Sequence, residues 1–323
     1  MYFHKLYYSL VPLARVSIIY NIKEYIIMNN NCYKIGIIGN GFVGNATLTL
    51  QCEDIDILCY DINPELCIPE GTIINDLLGC SVIFISVPTP INSIGKTCMK
   101  YVDNVMEKLK EIDYNGFIVI RSTVPVGTSD EYKCYFMPEF LTEKNAKNDF
   151  INNQNWIFGY YDNEKKGQFI DLMTNIISTA YVYDKINNNN ITFMHNKEAE
   201  MVKYFRNTFL ATKISFCNEI YNFCNKKGID YDRMISIAAD DNRISKSHTS
   251  VPGHDGKFGF GGTCFPKDIS SLHMQMEEEN VQHHVISSVI YRNNNIDRVE
   301  RDWMNDFGRT DDPLYTIYKF IKN

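Results

Sequence analysis

The sequence has 323 residues, more than one compact core usually holds, so two domains are expected. Hydrophobic residues make up 45% and charged residues 22%, as in ordinary globular proteins, and a net charge of -7 with no run of Lys and Arg excludes a general nucleic-acid binder. The ten cysteines are scattered without a Cys-x-x-Cys pair, which argues against a disulfide framework or a zinc site, and no apolar run reaches the roughly 18 residues of a membrane span.

A reducing, cytoplasmic setting is therefore expected, with free thiols, no metal, no nucleic acid and no membrane. Residues 9–20 are apolar, but they carry Arg15 and lack a small-residue cleavage site. Residues 1–31 are read as an extension outside the fold, with Met28 as an alternative start.

In chain order, residues 33–38 form the first apolar, β-branched run, and 45–50 follow as a helix. Strands are expected at 55–60, 81–87 and 116–121, with a helix at 102–112 between the last two. Residues 156–160 and 180–182 read as later strands of the same layer. Buried strands alternating with helices indicate an α/β fold with a parallel sheet. The Asn-rich residues 185–192 read as a loop, and the Asn tracts in general as a compositional habit. Beyond them, residues 196–227 carry apolar residues at helical spacing without Pro or Gly, and Gly228 is a good stop. A second helix is expected at 231–239. A glycine-rich loop at 253–262 precedes another helix beginning near Pro266.

Two segments carry chemistry. Gly39-x-Gly41-Phe42-Val43-Gly44 leaves a strand and opens a helix, the context that makes a dinucleotide fingerprint specific. The first glycine permits the turn, the second admits a pyrophosphate, and the third lets helix and strand pack. Asp61, 22 residues after Gly39, ends the second strand, where a carboxylate accepts from ribose hydroxyls and repels the extra phosphate of NADP. NAD is the expected cofactor, and the sheet is expected to be Rossmann-like and doubly wound.

The other segment is Phe258-Gly259-Phe260-Gly261-Gly262-Thr263-Cys264-Phe265-Pro266-Lys267-Asp268. Glycines let a backbone wrap closely round a ligand, and Pro266 suits a first helical turn. Cys264 then sits at a helix N-terminus, where the dipole favours thiolate. Lys267 favours the thiolate and Asp268 opposes it.

This string closely resembles the active-site segment of the UDP-glucose/GDP-mannose dehydrogenase family. Further segments resemble the same family in the same order, from about residue 33 to about 310. They are Val87-Pro88-Thr89-Pro90, Arg121-Ser122-Thr123-Val124-Pro125, Pro138-Glu139-Phe140-Leu141-Thr142-Glu143, Ala199-Glu200-Met201-Val202-Lys203-Tyr204-Phe205-Arg206-Asn207, Asn218-Glu219 and Asp241-Asn242-Arg243-Ile244. Lys203 and Asn207, four apart, share a helix face, and Glu139 and Glu143 do so if their loop enters a helical turn.

The resemblance implies an NAD-binding domain at 32–192, a mainly α-helical central domain with a long helix at 193–300, and a tail at 301–323. It implies oxidation of the sugar C6 alcohol of a nucleotide sugar, UDP-glucose foremost, to a carboxylate. By the same resemblance Cys264 is expected to be the nucleophile, with Lys203, Asn207, Glu143, Asp268 and Thr123 in catalysis, and the residues named next to hold cofactor and substrate. Gly39, Gly41, Phe42, Val43, Gly44, Asp61, Thr89 and Thr123 hold NAD. Glu139, Phe140, Leu141, Glu143, Lys203, Asn207, Arg243, Phe260 and Gly261 hold the substrate. A homodimer through the long helix is implied. The C-terminal domain of longer members is not expected within these 323 residues. The alternatives are another UDP- or GDP-sugar dehydrogenase, a β-hydroxyacid dehydrogenase, which needs neither Cys264 nor the Glu pair, and a truncated, inactive nucleotide-sugar binder.

Overall fold

Strands form where the chain runs apolar on both faces. A computed structural model describes residues 32–92 and 94–305; the expected N-terminal extension and most of the expected tail lie outside them. β1 (Tyr33–Ile38), β2 (Ile55–Tyr60), β3 (Val82–Ile85), β4 (Phe117–Ile120), β5 (Tyr135–Phe136), β6 (Trp156–Tyr160) and β7 (Ile191–His195) build one sheet in the order β2-β1-β3-β4-β5-β6-β7. Each neighbouring pair is parallel except β5 with β6. In β3 all four residues are buried, as expected of a strand covered on both sides. The chain leaves β1 toward β2 on one side and crosses to β3 on the other, which makes the β1/β3 crevice a topological switch point.

The helices are α1 (Phe42–Thr47), α2 (Lys100–Glu111), α3 (Thr128–Glu131), α4 (Ala146–Ile151), α5 (Lys166–Val182), α6 (Asn196–Lys227), α7 (Tyr231–Ala238), α8 (Phe265–Glu278) and α9 (His284–Arg292). The chain divides into two compact units. One holds the residues up to Val87, Val105–Ser122 and Ser129–Ala199, and the other holds Pro88–Asn104, Thr123–Thr128 and the residues from Glu200 onward.

In the sheet unit, Ile35, Ile37, Phe84 and Val119 pack with Phe150, Trp156, Phe169 and Met173 into one core. In the helical unit, Ala211 of α6 packs with Phe260, Ile269 and Val289. Further along α6, Cys217 and Cys224 pack with Tyr231 and Val251. All ten cysteines are free thiols. Among the described residues no helix is long and apolar enough to cross a membrane.

Two elements differ from the sequence expectation. Residues 180–182 are the end of α5 and not a strand. The buried positions Phe169, Met173, Ile176, Ile177 and Ala180 recur at helical spacing, and three apolar residues read alone cannot show that period. The last strand is instead β7, which leaves the Asn-rich loop and pairs in register with β6 from Trp156↔Ile191 to Tyr160↔His195.

Candidate active site

The glycine turn after β1 has the geometry that its spacing requires. Gly39 has φ +94°, a conformation that side-chain-bearing residues rarely adopt, and a Cβ there would stand 2.7 Å from the Ser86 carbonyl at the end of β3. A Cβ on Gly44 would overlap the Gly39 carbonyl oxygen, so α1 approaches the turn only with glycine there. A Cβ on Gly41 would meet nothing within 4 Å, so the space over the turn is open to a ligand phosphate. Phe42 packs against the sheet core, and the Val43 carbonyl accepts from Thr47 Oγ1 at 3.0 Å.

Asp61 reaches the same turn. Its Oδ2 accepts from the Asn40 N–H at 2.7 Å and its Oδ1 from the Asn63 N–H at 2.9 Å. Each carboxylate oxygen carries two lone pairs, so both keep capacity for ribose hydroxyls. These residues fit a dinucleotide.

The sheet unit also holds the Glu139–Glu143 segment. Glu139 is buried, and its Oε2 accepts from the Leu141 N–H at 2.9 Å. Phe140 and Leu141 are half-buried, and Leu141 packs against the sheet core. The helical turn starts only at Glu143, which is exposed, so the condition for the two glutamates to share a helix face is not met.

Arg121, at the end of β4, was quoted in sequence only as part of a motif. It is 2% exposed, donates to Thr47 Oγ1 and lies 5.5 Å from the Phe150 ring centre. Burial lowers its pKa to about 10, while the charge of Glu139 opposes the fall.

In the helical unit, Cys264 is the N-cap of α8, with Pro266 in the first turn and the Asp268 N–H bonded to the Cys264 carbonyl at 2.9 Å. The thiol is half-buried, and its Sγ lies 3.5 Å from Thr263 Oγ1. Asp268 has no solvent exposure. Its Oδ1 accepts from Lys267 Nζ at 2.5 Å and its Oδ2 from Asn207 Nδ2 at 2.5 Å. The opposite charges beside Cys264 are thus bonded to each other.

Lys203 and Asn207 are both buried on α6, one turn apart. Tyr204 between them donates to or accepts from Ser271 at 2.8 Å, and Ser271 meets Thr97 at 2.7 Å. Burial, reinforced by the charge of Asp268, pushes the Tyr204 phenol well above its ordinary range and keeps it neutral. Thr89 and Thr123 are buried in this unit. The Thr123 loop is pinned by the Val126 N–H on Gln275 Oε1 at 2.8 Å and the Gly127 N–H on Glu200 Oε2 at 2.5 Å.

The glycine-rich loop differs from its sequence reading. A Cβ at Gly259 would strike Asn293 Oδ1, and one at Gly261 would come within 2.8 Å of the Arg298 guanidinium. These two glycines admit the protein's own side chains, whereas Gly256 and Gly262 face open space. Phe260 is held at both backbone groups by Asn293, which accepts from its N–H at 2.8 Å and donates to its carbonyl at 3.0 Å. Asn293 is fully buried, so this member of an Asn tract has a structural task. Its spacing from Val289 and Ile290 on α9 was the available signal. Arg298, also missed in sequence, pairs with Asp255 at 2.7 Å and Asp302 at 2.7 Å behind the loop. Arg243 is exposed and its guanidinium is bonded to Asp241 at 2.6 Å.

A sequence model of the UDP-glucose/GDP-mannose dehydrogenase family, NAD binding domain, matches residues 71–179, and one of the same family's central domain matches residues 197–295. A UDP-glucose 6-dehydrogenase of Rickettsia typhi is 31% identical over 231 residues, covering 68% of this chain and 50% of that protein. One of Bacillus subtilis is 32% identical over 236 residues, with 68% and 50% covered. The chain thus spans about half the length of these relatives. Among solved structures, a UDP-glucose dehydrogenase from Pyrobaculum islandicum shares the fold with a TM-score of 0.70 at 23% identity, over 82% of this chain and 68% of that one.

Proposed function

The chain belongs to the UDP-glucose/GDP-mannose dehydrogenase family, and on that premise we propose that it oxidises the C6 alcohol of a nucleotide sugar, UDP-glucose foremost, to the carboxylate through a covalent intermediate on Cys264. The observation that carries this reading is the setting of Cys264. Cys264 is the N-cap residue of α8, at the end where a helix dipole favours a thiolate, and Lys267 and Asp268 beside it are bonded to each other.

Two NAD molecules, bound in turn, would supply the hydride acceptors for the two oxidations. Either Lys203 or a water held by Asp268 and Thr123 takes the hydroxyl proton in the first. The Cys264 thiolate adds to the aldehyde carbon, and the oxygen takes back the proton held by that base to become the hydroxyl of a thiohemiacetal. Loss of the second hydride and the hydroxyl proton leaves a thioester on Cys264. Water cleaves it to acid and thiol, with Glu143 as general base on the family resemblance. Asn207 gives one amide N–H to Asp268 and would offer the other to the developing oxyanion, beside Lys203.

A homodimer belongs to the same proposal. Phe205, Phe209, Phe216 and Phe223 stand more than half exposed along α6, at intervals of four, seven and seven residues. That spacing is the seam of a helix packed on a partner helix, and a second copy of the chain supplies one. The free thiols support a cytoplasmic, reducing setting.

The test is NADH release across a panel of UDP- and GDP-sugars, with product mass measured. Two NADH per sugar and an acid product are expected. Cys264→Ser should bind NAD as the wild type does and lose acid formation by at least about 100-fold. Acid formed at the wild-type rate by the serine variant would overturn the covalent route. A hydroxyacid substrate consuming one NAD would point to a β-hydroxyacid dehydrogenase instead.

A further inference from the structure

We propose that His273, Glu277 and His283 form a binding site for a divalent transition-metal ion, zinc in the first instance, which clamps the end of α8 to the segment entering α9. One ligand atom from each residue lies within 4.8 Å of the others. His273 and Glu277 are one turn apart on α8 and so share a face. His283 immediately precedes α9. The two imidazole centres are 4.3 Å apart, and His283 Nε2 is 4.0 Å from Glu277 Oε1. Tetrahedral zinc holds nitrogen and oxygen ligands about 3.3 Å from each other, so a small side-chain rotation closes the set.

The chemistry of the donors fits this ion. Two imidazoles and one carboxylate make a three-ligand zinc set with a fourth position left for water. Ser287 orders the imidazoles. Its hydroxyl lies 3.1 Å from the His283 carbonyl, 2.7 Å from His283 Nδ1 and 3.2 Å from His273 Nε2. With the serine proton on the carbonyl, His283 Nδ1–H donates to the serine oxygen. The lone pair then falls on Nε2, the nitrogen nearest Glu277.

Access is open, since His273, Glu277 and Ser287 line one wall of a cavity of about 780 Å³ and Glu277 is exposed. The cluster plays no part in the chemistry at Cys264, nine residues and about 14 Å earlier along α8. The expectation of no metal rested on cysteine spacing. These donors use no cysteine, and their spacing matches no motif.

The experiment is a titration of the full chain, stripped with a chelator, with zinc by calorimetry and with cobalt(II) by absorption spectroscopy. One ion per chain is expected, with cobalt d–d bands and no thiolate charge-transfer band. His283→Ala and Glu277→Gln should each weaken binding by about 100-fold or more, while Cys264→Ser leaves it unchanged. Glu277→Gln is an exposed, nearly isosteric change and guards against loss of fold in the histidine variant. Absence of saturable binding, binding that survives both ligand substitutions, or binding lost in Cys264→Ser would overturn the site. None of these outcomes depends on the dehydrogenase activity.

Discussion

Asp268 shows how much a single buried charge holds at this site. It has no contact with solvent, yet it bonds Lys267 beside it and Asn207 on another helix. Removing it leaves an ammonium and an amide without their acceptor, which costs about 3–5 kcal/mol. Asp268→Ala should therefore unfold at markedly lower urea than the wild type. A midpoint within error of the wild type would show that the pair contributes nothing. Arg298 allows a second test, by pH. The guanidinium of Arg298, aided by Lys257, holds the Asp302 carboxyl well below the usual carboxylate range. A carboxyl lowered in the folded state gives stability that is complete above its unfolded pKa of about 4 and is lost as pH falls through the folded value. Thermal melts from pH 7 down to pH 2 should show this loss in the wild type and a shallower one in Arg298→Met; equal slopes would refute the linkage. The glycine turn and the helix start at Cys264 were legible from local spacing, and Asp61 from its fixed place at the end of the second strand, although its partner Asn40 lies 21 residues away. Asn293 and Arg298 were not, because their partners Phe260 and Asp255 lie 33 and 43 residues away.

Among the elements, period and length decided what could be read. β1, β2 and β6 follow their apolar runs residue for residue, and α6 runs over all 32 residues of its uninterrupted pattern. The end of α5 was misread because its inward stripe stops on three apolar residues. β7 was missed because Asn residues precede it and none of its five residues is fully buried. The exposed face of α6 carries the element-scale prediction. If its phenylalanine row is a seam, Phe209→Glu with Phe216→Glu should convert a dimer to a monomer in light scattering while leaving the helical circular dichroism intact. A wild-type chain that is monomeric at high concentration would remove the seam reading.

For the whole molecule, the sheet unit carries the features that fit NAD, the open Gly41, the tight Gly39 and Gly44, and Asp61. A ligand at a hundred times its Kd stabilises the state that binds it by about 2.7 kcal/mol. NAD should thus raise the Tm of the protein clearly, and NADP much less if the Asp61 carboxylate repels the extra phosphate. An equal rise with NADP would refute the role of Asp61. The α/β class, the strand-turn-helix with its cofactor preference, the long helix and the cysteine at a helix start were determined by the sequence itself. Each depends on period or spacing over a few turns of chain, where local geometry is nearly fixed. The tertiary structure decided what depends on distant partners. Asp268 became the joint between Asn207 and Lys267, and two loop glycines turned out to make room for Asn293 and Arg298. His273, Glu277 and His283 converged without any motif, because the approach of one helix end to the next segment is set by packing and leaves no periodic trace in the chain.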